Sequence, residues 1–93
     1  TVDEIADVQN LDIQLWHNGS LMQSSNTEMM IFSVAFTISY ISQITTLEVG
    51  DVILTGTPEG VGYARKPPIY MQAGDKVTVE IAGVGRLTNQ FAV

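Results

Sequence analysis

Turn-forming pairs cut this chain into short apolar runs, which leaves room for one helix and a set of short strands. Asn18-Gly19, Gly50-Asp51 and Gly74-Asp75 each join a residue that tolerates turn geometry to a glycine, and Gly83 and Gly85 break the chain again. Between these breaks the apolar period is two. Leu11, Ile13, Leu15 and His17 alternate with Asp12, Gln14, Trp16 and Asn18, so the first set shares one face of a strand. Asn18-Gly19 supplies the positive φ that a tight hairpin turn needs, and Ser20 to Gln23 returns as the partner strand. Lys76 to Ile81 repeats the pattern, with Val77, Val79 and Ile81 inward and Thr78 and Glu80 outward. Leu87 to Val93 alternates once more. Val52 to Thr55, launched by the turn Leu47 to Asp51, reads as a short buried strand. The turns in VGDVI and AGDKV resemble each other, two uses of one turn-to-strand solution.

One segment has helical spacing. From Met29 to about Ser42, apolar side chains fall at Met30, Val34, Ile38 and Ile41, flanked by Ile31, Phe32 and Ala35. Ser25 and Glu28 have capping-box spacing, and Thr27 is an alternative cap with Glu28 in the first turn. Its serines, threonines and β-branched residues are poor helix formers. Such a helix requires apolar contact on more than one side. One main helix and about six short strands define an α+β, β-rich mixed fold. With 93 residues the chain buries a low fraction of its surface, and residues 1–93 read as an incomplete domain.

Composition removes several function classes. Apolar residues make up 45% of the chain, too many for a disordered acidic tail. Ten acidic against four basic residues give a net charge of −6, opposed to binding along a phosphate backbone. Arg65 and Lys66 are adjacent, but a pair is no nucleic-acid stripe. No cysteine is present, which removes disulfides, thiolate metal sites and thiol nucleophiles. No apolar run approaches the roughly 20 residues that span a bilayer, and no basic segment leads into one. The expectation is a cytoplasmic protein bound to neither membrane nor nucleic acid.

Few side chains here suit chemistry. Asp3, Glu4 and Asp7 read as an acidic solvated face before a hard-cation site, since nothing converges their oxygens. His17 is the sole histidine. It lacks partners for a zinc site or a Ser-His-Asp arrangement, so its first reading is structural. The loop 56–62, GTPEGVG, is the best candidate. Gly56, Gly60 and Gly62 let backbone approach a ligand, successive amides can cradle an anionic oxygen, and Thr57 adds a hydroxyl. It matches neither the phosphate loop nor the dinucleotide fingerprint, and binding site and tight turn both stand as readings. Gln23, Asn26 and Thr27 form a polar cluster that reads as capping, or as a carboxylate site at a helix N-terminus.

Taken together, NG at 18–19, Gln23, NT at 26–27, MIFSVA at 30–35, LEVGDVILTGTPEGVG at 47–62, AGDKVTVEI at 73–81 and GRLTN at 85–89 resemble the C-terminal half of fumarylacetoacetate hydrolase-family proteins. The match follows family order over nearly the whole chain. It departs from the family at Met22, where arginine is frequent, and at NTEMM, where NTSDM is common. The resemblance implies a β-roll-like fold, a homodimer, and a magnesium or manganese ion whose carboxylate ligands, with a nearby lysine, lie upstream. No catalytic or metal-binding residue maps onto this segment. Thr57 with Gly56, and more weakly Gln23 and Thr27, map to the substrate pocket. The implied activity is hydrolysis, decarboxylation or isomerisation of an α-keto acid or 1,3-dicarbonyl compound through a metal-stabilised enolate, as in aromatic catabolism. The alternative is a non-catalytic β-rich fragment that associates with a partner chain.

Overall fold

The structure, a computed structural model, describes residues 2–92. It is an α+β arrangement with one main helix and four antiparallel strands among those residues. Strands β1 (Asp12–His17), β2 (Ser20–Asn26), β3 (Lys76–Ile81) and β4 (Gly85–Gln90) form a single sheet in the order β2-β1-β3-β4. The first hairpin turns where expected. Asn18 and Gly19 have φ of 50° and 82°, and His17 pairs with Ser20 across a two-residue loop. Ile13 opposes Ile81, Leu15 opposes Val79 and His17 opposes Val77, so the alternation read from the sequence shares one face. Trp16 stands on the other face, where the Arg86 guanidinium lies 4.9 Å from its ring centroid.

The strand expected over Leu87 to Val93 is β4, which ends at Gln90; Val93 lies outside the described residues, as does Thr1. Val52 to Thr55 is not a strand. It finds no ladder partner, and Val52 and Leu54 are almost fully exposed. An apolar run specifies burial, but the surface that buries it must be supplied by another element.

The helix starts later than its periodicity suggests. Ser25 and Asn26 close β2, and Asn26 Oδ1 caps a 3-10 turn over Thr27–Met29 by accepting from Glu28 N at 2.9 Å. Helix α1 runs Val34–Ser42, with Ser33 Oγ accepting from Phe36 N at 3.0 Å. Thr27 explains the delay. Its backbone N–H donates to Leu11 O and its hydroxyl joins Val8 O and Leu11 N, which pins the chain beside β1. Gln9, from the segment read as an edge or linker, accepts Val34 N at 2.9 Å and donates to Thr27 O, bridging turn and helix.

No apolar side chain is buried among the described residues; Gln23, 8% exposed, is the buried one. The accessible surface is 7428 Å², where a compact protein of this mass shows about 5,300 Å². The radius of gyration is 15.5 Å, against about 12 Å for a compact domain of this length. The ring of Phe32, just before α1, and those of Phe36 and Tyr40 on it stack at 5.3 and 6.4 Å yet remain exposed. The packing expected around this helix is absent among the described residues.

Candidate functional site

The site is built on an irregularity in β2. Leu15 pairs with Gln23 and Trp16 with Leu21, so Met22 is an extra residue in the strand. Such a bulge breaks the strict alternation of side chains. Met22 and Gln23, neighbours in sequence, both line one cavity of about 360 Å³, with Leu15, His17, Tyr63 and Tyr70 among its walls. Met22 O accepts Arg65 Nη2 at 2.5 Å, while Arg65 Nε donates to Gly60 O at 3.1 Å. One guanidinium thereby ties the glycine loop to the strand.

Gln23 fastens the other half of that loop. Its Nε2 lies 3.0 Å from Thr57 Oγ1, 2.7 Å from Pro58 O and 3.3 Å from Glu59 O. Thr57 is exposed beside it, and Gly56, at φ 95°, has open space where a side chain would stand. No acceptor among the described residues takes the backbone N–H of Gly56 or Thr57. The loop therefore presents one hydroxyl and two amides beside a buried polar anchor, an arrangement suited to gripping an oxygen-rich ligand.

Of the four residues expected at a pocket, Gln23 lines the cavity and holds Thr57, the neighbour of Gly56, through a hydrogen bond, while neither Gly56 nor Thr57 lines the cavity itself. Thr27 does not join them. Its hydroxyl proton is engaged by Val8 O at 2.8 Å and its oxygen accepts Leu11 N at 2.9 Å. The carboxylate site considered at a helix N-terminus there has no helix behind it, since the turn is three residues long and capped by Asn26.

His17 has a partner that the sequence did not suggest. Its Nε2 is 2.7 Å from Asp75 Oδ2, and Asn18 Nδ2 donates to Asp75 Oδ1 at 3.0 Å. Gln72 N also donates to this carboxylate. The Asn18 amide, then the Gln72 N–H, then His17 hold the Asp75 carboxyl down at about 2, below its ordinary 3.8. A depressed carboxyl stabilises the folded state above its ordinary value, and that contribution disappears as pH falls toward the folded value. In thermal melts, Asp75→Asn is expected to lower the melting temperature at neutral pH. The gap from wild type should close between about pH 4 and pH 2. A gap that stays constant through that window shows that the carboxylate is not what anchors the hairpin.

Among the described residues no three His, Cys, Asp or Glu side chains converge on a point that could hold a metal ion. The donor set here does not fit a magnesium or manganese centre. No described helix is long and apolar enough to cross a membrane.

A bulged antiparallel sheet that presents a glycine-rich loop, with one main helix, defines an α+β fold. The profile described as fumarylacetoacetate (FAA) hydrolase C-terminal matches residues 1–92, and the chain belongs to the fumarylacetoacetate hydrolase family. It is 50% identical over 90 residues to a mitochondrial oxaloacetate tautomerase of Bos taurus, covering 97% of this chain and 29% of that protein. The fumarylacetoacetate hydrolase of Exiguobacterium antarcticum superposes with a TM-score of 0.95 at 43% identity, covering all of this chain (100%) and 33% of the other. A maleylpyruvate hydrolase from Sphingobium, in complex with manganese (II) and pyruvate, superposes at 0.86 with 36% identity over 99% of this chain and 32% of its own. The chain thus spans about a third of the length of the proteins it matches. The expectation of a cytoplasmic protein is corrected by the bovine relative and by those of rat and human, which are mitochondrial. A lack of cysteine excludes disulfides in either compartment, so it never distinguished the two.

Proposed function

We propose that this chain is the substrate-positioning, C-terminal portion of a fumarylacetoacetate hydrolase-family enzyme acting on an α-keto acid or 1,3-dicarbonyl compound. The observation that carries this reading is the exposed Thr57 hydroxyl, fixed by buried Gln23 at the edge of a glycine loop. Relatives of the chain include a tautomerase of oxaloacetate and a hydrolase of maleylpyruvate, both dicarboxylic substrates with a keto group. In such substrates negative charge grows on a carbonyl oxygen as a proton moves or a carbon–carbon bond breaks. Thr57 Oγ1 and the amides of Gly56 and Thr57 would donate to that oxygen and orient it.

Magnesium or manganese, where the enzyme uses one, would be held by residues outside the described segment, since no ligand set exists within it. The exposed ring stack along the start of α1, Phe32, Phe36 and Tyr40, supports coverage by further protein, and assembly as a homodimer is part of this reading. The test is turnover of oxaloacetate and an acylpyruvate by the full-length enzyme that carries this segment. Activity is expected with manganese, lost on chelation, and restored by adding the ion back. Turnover unaffected by chelation removes the metal from the proposal. No turnover of either class with manganese present removes the proposal itself.

A further inference from the structure

The direction of the Thr57 hydroxyl is decided by groups that do not belong to Thr57. The carbonyl oxygens of Pro58 and Glu59 can only accept, and they lie 2.7 and 3.3 Å from the end of the Gln23 amide. The group facing them must therefore be the NH₂, which fixes the orientation of the amide. An NH₂ has no lone pair to offer. At 3.0 Å from it, Thr57 Oγ1 is necessarily the acceptor, and its own proton points elsewhere.

We infer that Gln23 is a positioning residue that holds the Thr57 hydroxyl as an outward donor, ready for an anionic or enolate oxygen. The two protons of the amide face three acceptors, Pro58 O at 2.7 Å, Thr57 Oγ1 at 3.0 Å and Glu59 O at 3.3 Å. Burial makes the arrangement stiff. Gln23 is 8% exposed, and turning its amide over would set Oε1 against two carbonyl oxygens. Fixing the proton before substrate arrives removes a reorganisation step that would otherwise accompany the growth of charge. The inference rests on the reading of Thr57 as a substrate contact.

Two substitutions separate orientation from packing. Gln23→Met keeps the length and roughly the volume but leaves the hydroxyl free to rotate. Gln23→Glu puts an acceptor where the donor was, so the Thr57 proton turns inward and is withdrawn from the substrate. In the metal-loaded full-length enzyme, kcat/KM is expected to fall in the order wild type, Gln23→Met, Gln23→Glu. The glutamate variant should lose about 10²-fold, as for removal of one oriented donor. Its loss should not add to that of Thr57→Val in the double variant, because both remove the same donor. Partial recovery of Gln23→Glu relative to wild type at lower pH, where the introduced carboxyl protonates, also supports the assignment.

Equal losses in the methionine and glutamate variants, or losses fully additive with Thr57→Val, would overturn it in favour of a packing role. If Gln23→Glu does not fold, the Gln23→Met and Thr57→Val double variant decides by the same additivity criterion. Wild-type kinetics in Thr57→Val alone overturn the underlying reading instead, which keeps the two failures apart.

Discussion

Gly60→Ala is expected to destabilise the protein by about 3 kcal/mol, the sum of a backbone strain and a steric overlap that act independently. The strain arises because Gly60 has φ of 102°, where a side chain costs about 1–2 kcal/mol. The overlap arises because a Cβ there would sit 2.3 Å from Met22 O. That oxygen belongs to a bulged strand and already accepts Arg65, so it cannot swing aside as the tip of a long side chain can. The loop must move instead, which pulls on the Gln23 bonds to Pro58 and Glu59. Gly56→Ala is the control: its φ of 95° carries the strain, but nothing lies within 4 Å of the added Cβ. Denaturant midpoints of the two variants in the full-length enzyme should therefore differ, with Gly60→Ala the lower. Equal midpoints would show that the loop does not lean on β2.

The features that the sequence announced are those with local causes. Asn18-Gly19 specifies its turn through backbone conformation alone, and the period of two in β1 and β3 survives because each strand meets a partner with the same period. Where a partner had to come from elsewhere, the sequence misled. Val52 to Thr55 has the composition of a buried strand and lies exposed. The apolar run from Met29 to Phe32 reads as helix but is taken up by a 3-10 turn and a bend at Ile31 and Phe32, because Thr27 and Gln9 fasten it to Leu11 and to the helix start. Gly56, Thr57 and Gln23 were legible as candidates through the glycine loop and the family resemblance.

Their geometry was not legible, because a bulge leaves no mark in composition. A single extra residue at Met22 brings two consecutive residues of β2 to the cavity. The partners of Arg65 and Asp75 were not legible for a related reason. Each acts on a residue far away in sequence, Met22 and His17, and only the folded sheet brings them together.

Thr57→Val tests the centre of the proposed site. Valine keeps the branched shape and packing of threonine but has no hydroxyl, so it removes the outward donor and little else. Gln23 loses an acceptor as well, yet its NH₂ retains Pro58 O at 2.7 Å and Glu59 O at 3.3 Å, so the loop should stay anchored. If the Thr57 bond strengthens as negative charge develops on the substrate oxygen, kcat and kcat/KM should fall together by about 10²-fold. If the hydroxyl grips substrate and transition state equally, KM should rise while kcat holds. Steady-state kinetics on the full-length enzyme, with circular dichroism and melting temperature unchanged from wild type, distinguish these outcomes. Wild-type values of both constants in a folded Thr57→Val variant would make the glycine loop a turn and nothing more.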